Sequence, residues 1–365
     1  MEERVHLKGL NGLRAIAAII VVIAHLRILL PERPAFIGER FDLANYAVTI
    51  FFTLSGFLIT YLLFKEKMRQ EISIKKFYIR RILRIWPLYF TYLAAAVITI
   101  YIYTPGKLPG SLAYYLFFAA NIPSIFNTHL PYLAQYWTLG VEEQFYLFWP
   151  WLMKRSGNAL KALVIFTICF LIVKLFFRFI YFKWDNIMPL HFLAVTRFEC
   201  MSLGGIAAIL CIQRNKFFLS VTTNKFTQLI CWLSLVIMAM NRFHVIPILD
   251  NDLAALVTIG LIVNLSFNDK SFISLENRFF DLVGRISFGI YMIHPLVIFF
   301  YGLLLSMFDL SPQTKTLLIY PGVLLFTIFF AWLSYEFFEK RFLRLKERFS
   351  TIKNTDSLYT GAVHD

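Results

Sequence analysis

The sequence predicts an all-α protein, a polytopic transmembrane helical bundle of about ten spans plus a short re-entrant or interfacial helix. Composition is the first observation: 59% of the 365 residues are hydrophobic and 16% are charged. Soluble globular domains are about 45–50% apolar and roughly 25% charged. The second observation is that the apolar residues fall into separate runs of bilayer-spanning length, and the third is the placement of the basic residues between those runs.

Ten apolar runs have the length that a helix needs to cross a bilayer. The predicted spans lie at 12–30, 44–64, 86–104, 136–153, 159–181, 193–213, 226–242, 251–267, 285–306 and 317–337. Residues 110–126 are also apolar, but Pro123 interrupts this short segment, so we predict a re-entrant or interfacial helix there. We expect residues 1–345 to form one transmembrane domain and the polar residues 346–365 to form a disordered cytoplasmic tail.

Lysine and arginine are concentrated on one side of this arrangement. With the N-terminus in the cytoplasm, the segments predicted to lie inside carry 26 basic residues and those outside carry 7. The bias follows the positive-inside rule, so we expect a multi-pass protein of the inner (cell) membrane with both termini in the cytoplasm. This placement of the basic residues also explains the net charge of +14. The expected partner is the lipid bilayer, and no nucleic acid is expected.

The first predicted span contains an arginine and a histidine. Arg14 and His25 are eleven positions apart, which returns a helix to within about 20° of its starting direction and places the two side chains on one face. An ionisable residue inside a membrane is a candidate functional residue because its burial in hydrocarbon is costly. A neutral imidazole at His25 can accept a proton from a hydroxyl. The alternative is a histidine that forms a hydrogen bond between helices.

Ser55 and Gly56 interrupt the phenylalanine-rich second span, FFTLSGFLIT. Small residues let transmembrane helices approach closely, and serine forms hydrogen bonds between helices, so packing is the simpler interpretation. A nucleophilic role for Ser55 would require a base beside it. The sequence leaves both interpretations open.

The basic loop before the third span ends in Arg80, Arg81 and Arg84. Arg81 and Arg84 are three residues apart and share a helix face. Planar guanidinium groups suit phosphate oxygens. Anchoring to anionic lipid headgroups is the alternative, since a cluster of basic residues beside a span favours it.

Glu142 and Glu143 lie within the fourth span, in YWTLGVEEQFYLFWP. Adjacent side chains point about 100° apart on a helix, so we expect at most one carboxylate to face a given cavity. The other needs a partner of its own, and Arg197, near another helix end, is a candidate. A structural ion pair and a catalytic carboxylate are equally compatible with this pattern.

His294 precedes Pro295 in the ninth span. Proline removes a backbone donor, so His294 either satisfies the opened carbonyl region or takes part in the chemistry. The four cysteines form no metal-binding spacing with histidine, and we expect no metal site.

Six segments of the chain resemble the acyltransferase-three family of integral membrane acyltransferases. They are GLRAIAAIIVVIAH, FFTLSGFLIT, FYIRRILRIWPLYF, YWTLGVEEQFYLFWP, ISFGIYMIHP and FFEKRF, and they extend over nearly the whole chain. The resemblance implies an O-acyltransferase, most simply an O-acetyltransferase. It would take the acyl group from cytoplasmic acyl-CoA, with acetyl-CoA the expected donor, and deliver it to a hydroxyl of a cell-surface or lipid-linked carbohydrate.

The family's signature is an arginine followed, after ten intervening residues, by a histidine in the first span, and here it falls on Arg14 and His25. The resemblance therefore implies that His25 is catalytic, as a general base or as a transient acyl carrier, and that Arg14 orients or neutralises donor charge. It also implies that Arg81 and Arg84, next to Arg80, bind the phosphates of acyl-CoA. The remaining candidates are expected to support the site or bind substrate: Ser55, Glu142, Glu143, Arg197 and His294.

The chain departs from the pattern of the family that it resembles at two points. Many relatives carry an acidic or amide residue where this chain has Thr49, which weakens any polar assistance from that position. The chain also ends soon after its last predicted span, so we expect it to lack the extracytoplasmic domain that is fused to some relatives. The alternatives from other classes are a transporter or flippase for a lipid-linked or acidic solute and a scaffold for surface-polymer assembly.

Overall fold

The structure of the protein is a computed structural model. It describes residues 4–5, 7–26, 29, 43–104, 106, 110–184, 188–240, 242–243, 245, 248–350 and 353–354. The helices are α1 (Leu10–His25), α2 (Leu43–Lys67), α3 (Ile74–Tyr103), α4 (Leu112–Leu116), α5 (Asn121–Ile125), α6 (Tyr136–Arg155), α7 (Ala159–Trp184), α8 (Met188–Thr196), α9 (Phe198–Ile212), α10 (Lys216–Thr222), α11 (Lys225–Ala239), α12 (Asp250–Phe267), α13 (Arg278–Arg285), α14 (Ser287–Ser306), α15 (Pro312–Ser334) and α16 (Lys340–Glu347). A π-helical turn, Tyr335–Glu339, joins α15 to α16. Two short strands, β1 (Arg4–Val5) and β2 (Lys353–Asn354), pair in parallel.

The predicted all-α class is confirmed. Within the described residues, six helices are long and apolar enough to cross a membrane: α2, α3, α7, α12, α14, and α15 with the turns that follow it. Shorter apolar helices, α1, α9 and α11, coincide with three more of the predicted spans. Helix α6 coincides with the remaining one.

Three predicted segments differ from the helices that form. The span predicted at 193–213 is interrupted at Arg197, which has a φ of 42° and lies between α8 and α9. Helix α1 ends at His25, whereas the predicted span continues to residue 30; residues 27, 28 and 30 lie outside the described part. The segment 110–126 forms two helices of five residues each, α4 and α5, with Phe118 between them at a φ of 56°. Helices of that length cannot cross a bilayer. Of the predicted tail, residues 351–352 and 355–365 also lie outside the described part.

Helix α2 lies at the centre of the bundle and packs against α1, α6, α9 and α12. Its contact with α9 is the closest because glycines face the opposite backbone on both sides. A Cβ added to Gly56 would overlap the carbonyl oxygen of Met201, and one added to Gly204 would overlap that of Thr53. The interpretation of Gly56 as a packing residue is therefore confirmed, since only a residue without a Cβ permits this approach.

We expect Gly56→Ala to destabilise the bundle because the new methyl group has no space beside the α9 backbone. Inserting a carbon into a close-packed core typically costs about 1–3 kcal/mol, and here the clash is with backbone rather than a flexible side chain. The measurement is the thermal unfolding temperature of the protein purified in detergent. Gly157→Ala is the matched control, since a Cβ there meets nothing within 4 Å. Equal unfolding temperatures for the two variants would contradict this packing.

A buried ion cluster joins α7, α9 and α12. The Lys174 ammonium lies 2.7 Å from a carboxylate oxygen of Glu199 and 2.6 Å from one of Asp252. All three side chains are buried. A buried charge without a partner would be strongly destabilising, so the cluster fixes how these three helices meet.

Candidate active site

The start of α3 is held in place by the loop that precedes it. The Ser73 hydroxyl caps α3 by accepting from the backbone N–H of Lys76. The Ser73 backbone N–H donates to Glu66, at the end of α2. Farther along the loop, Glu71 pairs with Lys154 at 2.8 Å, and this ammonium lowers the pKa of the Glu71 carboxyl. These contacts fix the helical turn that carries the three arginines of α3.

A first cavity, the arginine cavity, has a volume of about 250 Å³. It runs along α2 and is enclosed by the first turns of α1 and α14, by residues 80–85 of α3 and 138–146 of α6, and by the ends of α13 and α16. Its basic lining residues are Arg14, Arg80, Arg81, Arg84, Arg285 and Lys346. The structure therefore brings Arg14 of the first helix together with the arginines of α3, which the sequence only implied through the family resemblance.

The three arginines of α3 have different surroundings. Arg80 donates to the backbone oxygen of Phe349 at 2.9 Å and to the carboxylate of Glu66 at 3.4 Å, so it ties the segment after α16 to the cavity wall. Arg81 lies over the rings of Phe77 and Tyr146, and its buried Nε has no hydrogen-bond partner among the described residues. Arg84 lines the cavity one turn further along.

Ser55, Glu142 and Tyr146 form a polar cluster in the wall of the arginine cavity. The Ser55 and Tyr146 hydroxyls lie 2.5 Å apart, and both interact with the Glu142 carboxyl, as do the charges of Arg81 and Arg84. Ser55 therefore meets a tyrosine and a carboxylate, whereas His25 lines a different cavity.

Glu143 faces away from this cluster. It accepts a 3.5 Å hydrogen bond from the Trp86 indole, and its other oxygen is buried without a hydrogen-bond partner among the described residues. The two adjacent carboxylates thus point to different surroundings, as the helical spacing predicts.

A second cavity, the histidine cavity, has a volume of about 540 Å³. It lies at the opposite ends of α1 and α14, beside the segment 129–135 that leads into α6. His25 and His129 line it together with Gln135. Arg14 and His25 therefore line two different cavities at the two ends of α1.

The ring orientation of His25 leaves one nitrogen available for chemistry. Its Nδ1 lies 2.8 Å from the backbone oxygen of Val21. A carbonyl oxygen only accepts, so Nδ1 carries the hydrogen, and in the neutral ring Nε2 holds the lone pair. Such a nitrogen can accept a proton or attack an acyl group.

His294 lies beside His25, with 5.0 Å between the ring centroids. It is fully buried, and its Nδ1 lies 3.2 Å from the backbone oxygen of Ile290. The carbonyl left without a helical donor by Pro295 is that of Tyr291, so this contact to Ile290 does not test whether His294 satisfies the opened region. Its Nε2 is buried without a hydrogen-bond partner among the described residues.

Hydrogen-bonded side chains form a polar wall between the two cavities. The Tyr291 hydroxyl lies 2.7 Å from that of Thr138 and donates to the backbone oxygen of Gln135 at 3.1 Å. Tyr291 and Thr138 line the arginine cavity, whereas Gln135 lines the histidine cavity. The Gln135 amide donates to the Met292 carbonyl at 3.1 Å, which ties the start of α6 to α14.

Arg197 binds the start of α2. Its guanidinium donates to the Thr49 hydroxyl and to the backbone oxygen of Asn45, both at 3.1 Å, and to the Asn45 side chain. It also lies over the Trp137 ring, 5.5 Å from the centroid. The hydrogen bonds from Arg197 to Asn45 and Thr49 therefore join α9 to α2, and the Thr49 hydroxyl is one of the acceptors.

The described residues form a membrane-type helical bundle with the arginine cavity at one end of α1 and the histidine cavity at the other. Residues 7–336 match the protein family described as an acyltransferase domain. The chain belongs to this acyltransferase-three family of integral membrane acyltransferases.

The curated relatives include O-acetyltransferases. The peptidoglycan O-acetyltransferase OatA of Listeria monocytogenes is 34% identical over 40% of this chain and 24% of its own length. The O-acetyltransferase OatA of Staphylococcus aureus is 26% identical over 92% of this chain and 57% of its own length. An uncharacterized protein of Haemophilus influenzae is 28% identical over 60% of this chain and 94% of its own length. The chain thus spans only part of the two OatA proteins. No solved structure matches it significantly.

Proposed function

We propose that the protein is an O-acetyltransferase that moves an acetyl group from cytoplasmic acetyl-CoA to a hydroxyl of a cell-surface or lipid-linked carbohydrate. The proposal rests on one observation. Two cavities lie at opposite ends of α1, Arg14 lines one and His25 lines the other, and a wall of side chains separates them. This arrangement suits a donor and an acceptor that approach from opposite sides of a membrane.

The donor occupies the arginine cavity. The phosphate groups of acetyl-CoA are anionic, and guanidinium groups bind phosphate oxygens through paired hydrogen bonds. Arg14, Arg81 and Arg84 are proposed to hold them, and Arg80 adds charge while it remains tied to Glu66 and Phe349. In the proposed topology ten helices span the membrane and residues 1–345 form the catalytic domain. Both termini are cytoplasmic, so the arginine cavity faces the cytoplasm.

The chemistry takes place at His25. In the general-base form, Nε2 accepts the proton of the acceptor hydroxyl, and the oxygen attacks the carbonyl carbon of the thioester. The C–S bond breaks, the CoA sulfur leaves with the electron pair, and the proton on His25 passes to it. In the acyl-carrier form, Nε2 attacks the thioester carbonyl carbon, the C–S bond breaks and CoA leaves as the thiolate. The acceptor oxygen then attacks the acetyl carbon, the N–C bond breaks, and the hydroxyl proton passes to the CoA thiolate.

The polar cluster of Ser55, Glu142 and Tyr146 is proposed to position the donor's acyl-bearing arm below the wall. Glu143 and Arg197 support the site from outside the arginine cavity, through Trp86 and through the start of α2. The wall of Tyr291, Thr138 and Gln135 has to open for the acetyl group to meet the acceptor. Support for these roles comes from the contacts described above.

The acceptor is proposed to enter the histidine cavity, which the topology places on the extracytoplasmic side. Tyr132, His129 and Gln135 line it with His25. Aromatic rings and hydrogen-bonding side chains suit a sugar, which presents both C–H faces and hydroxyl groups. The names of the OatA relatives support a carbohydrate of the cell envelope, with peptidoglycan one candidate.

The test uses purified protein in liposomes with acetyl-CoA labelled in the acetyl group. Muropeptide fragments and a lipid-linked saccharide serve as separate acceptors. We expect the label to appear on a carbohydrate as an alkali-labile ester, with one free CoA thiol released for each ester. If label or solute crosses the membrane while the thioester stays intact, the protein is a transporter and the proposal is wrong.

A further inference from the structure

We propose that His294 is a positioning residue for His25 and that it accepts a hydrogen bond from His25 when His25 is protonated during transfer. This inference rests on the proposed function, because it concerns the proton that the reaction places on His25. It assigns a task to a fully buried histidine that is otherwise explained only by its bond to the backbone of its own helix.

One ring nitrogen of His294, Nε2, has no hydrogen-bond partner in the part of the chain that the structure describes. Its Nδ1 lies 3.2 Å from the Ile290 carbonyl, which only accepts, so Nδ1 carries the hydrogen and Nε2 holds a lone pair. That Nε2 is also buried. A buried acceptor without a donor is destabilising by roughly 1–3 kcal/mol, and such atoms in native proteins are uncommon. Nε2 of His294 is therefore suited to a hydrogen-bond donor that is present during only part of the reaction.

The neighbouring donors have other partners. The Tyr291 hydroxyl faces Thr138 and donates to the Gln135 backbone, and the Gln135 amide donates to the Met292 carbonyl. Tyr291 lies 6.0 Å from His294 between ring centroids, and His25 lies closer, at 5.0 Å. His25, on α1, and Tyr291, on α14, are the titratable side chains in ring contact with His294 in the described part of the chain.

His25 supplies the missing donor only when it is protonated. In the neutral His25 ring Nδ1 donates to the Val21 carbonyl and Nε2 is an acceptor, so each of the two neighbouring rings then has a lone pair on Nε2 and neither offers the other a donor there. After the acceptor hydroxyl gives its proton to His25, Nε2–H becomes a donor and the His294 lone pair can receive it. The charge stays on His25, and its proton then passes to the departing CoA sulfur. Two imidazolium rings this close would repel each other, so the pair carries a single added proton.

Two substitutions separate this role from a structural one. Asparagine keeps a donor near the position of Nδ1, so His294→Asn retains the backbone bond and loses the acceptor near Nε2. Glutamine reaches the position of Nε2 with an amide oxygen, so His294→Gln retains the acceptor and loses the backbone bond. A role confined to the backbone bond predicts that asparagine is the milder change. The proposed role predicts the reverse.

The experiment measures kcat, KM for acetyl-CoA and the pH–rate profile of acetyl transfer for the wild type and both variants in liposomes. We expect His294→Asn to lower kcat by about 10- to 100-fold, as loss of a hydrogen bond to a charged group does, with KM within about twofold. We also expect it to move the acid limb of the profile to lower pH, because His25 then binds its proton less tightly. His294→Gln should stay within a few-fold of the wild type. A wild-type profile for His294→Asn, or a larger loss for His294→Gln than for His294→Asn, would overturn the inference.

A second measurement needs no variant. In wild-type protein labelled with ¹⁵N-histidine, nitrogen chemical shifts report which ring atoms carry hydrogen. We expect both His25 and His294 to carry hydrogen on Nδ1 near neutral pH and only one of them to gain a second hydrogen on acidification. Independent protonation of both rings would contradict the pairing. If the wild type itself transfers no acetyl group, the proposed function fails; if it does and the histidine results disagree, only the pairing fails.

Discussion

We expect His25→Ala to lower the rate of acetyl transfer by about 10²- to 10⁴-fold, the range that general-base catalysis typically contributes. The reason is the geometry of the ring: Val21 holds Nδ1, and Nε2 belongs to a ring that lines the histidine cavity beside the wall. Alanine removes both the base and a nucleophile that could carry the acetyl group. The measurement is labelled acetyl transfer at equal amounts of membrane-inserted protein.

His191→Ala is the matched control, because His191 lies on α8 and lines neither the histidine cavity nor the arginine cavity. We expect this variant to retain transfer within a few-fold of the wild type. Acid quenching of the wild type during turnover then separates the two chemical forms: acetyl label that stays on the protein and disappears in His25→Ala indicates the acyl carrier. Unchanged transfer by His25→Ala would show that the catalytic group lies elsewhere.

We expect Arg84→Ala to raise KM for acetyl-CoA by about 10- to 100-fold while kcat changes little. A hydrogen bond to a charged group contributes roughly 1.5–3 kcal/mol, and about 1.4 kcal/mol corresponds to a tenfold change in affinity. Arg84 lines the arginine cavity but has no place in the histidine cavity, so its loss weakens donor binding and leaves the acceptor side intact. Steady-state kinetics with acetyl-CoA as the varied substrate provide the measurement.

A truncated donor makes this prediction specific. Acetyl-pantetheine carries the thioester without the phosphates of the nucleotide, so Arg84→Ala should use it as well as the wild type does. Arg155→Ala is the control for general charge: Arg155, at the end of α6, stacks on Trp151 outside the arginine cavity. An equal loss with both donors would mean that Arg84 supports the fold rather than the phosphates.

The sequence predicted the helices well because each apolar run has to satisfy its backbone internally in a membrane. It also singled out Arg14, His25 and the arginines of α3, because charged residues in or beside apolar helices are conspicuous. It did not predict where α1 stops. The apolar run continues past His25, and nothing in the periodicity marks the helix end that places this ring at the edge of a cavity.

The wall between the cavities was missed for a different reason. Tyr291, Thr138 and Gln135 are uncharged, and residues of their types occur throughout membrane helices. Their importance comes from hydrogen bonds between α14 and the start of α6, which are more than 150 residues apart in the chain. Separation along the chain also hid the meeting of His25 with His294 and that of Ser55 with Tyr146, the latter two being 91 residues apart. A single sequence carries no signal for such pairings.

In the proposed function, the donor and the acceptor use cavities on opposite sides of the membrane. The most direct measurement places the protein in liposomes of known orientation, with labelled acetyl-CoA only on the side of the N-terminus and the saccharide acceptor only on the other side. We expect acetyl ester on the saccharide and free CoA thiol on the donor side. Transfer that occurs only when both substrates are on the same side would contradict it.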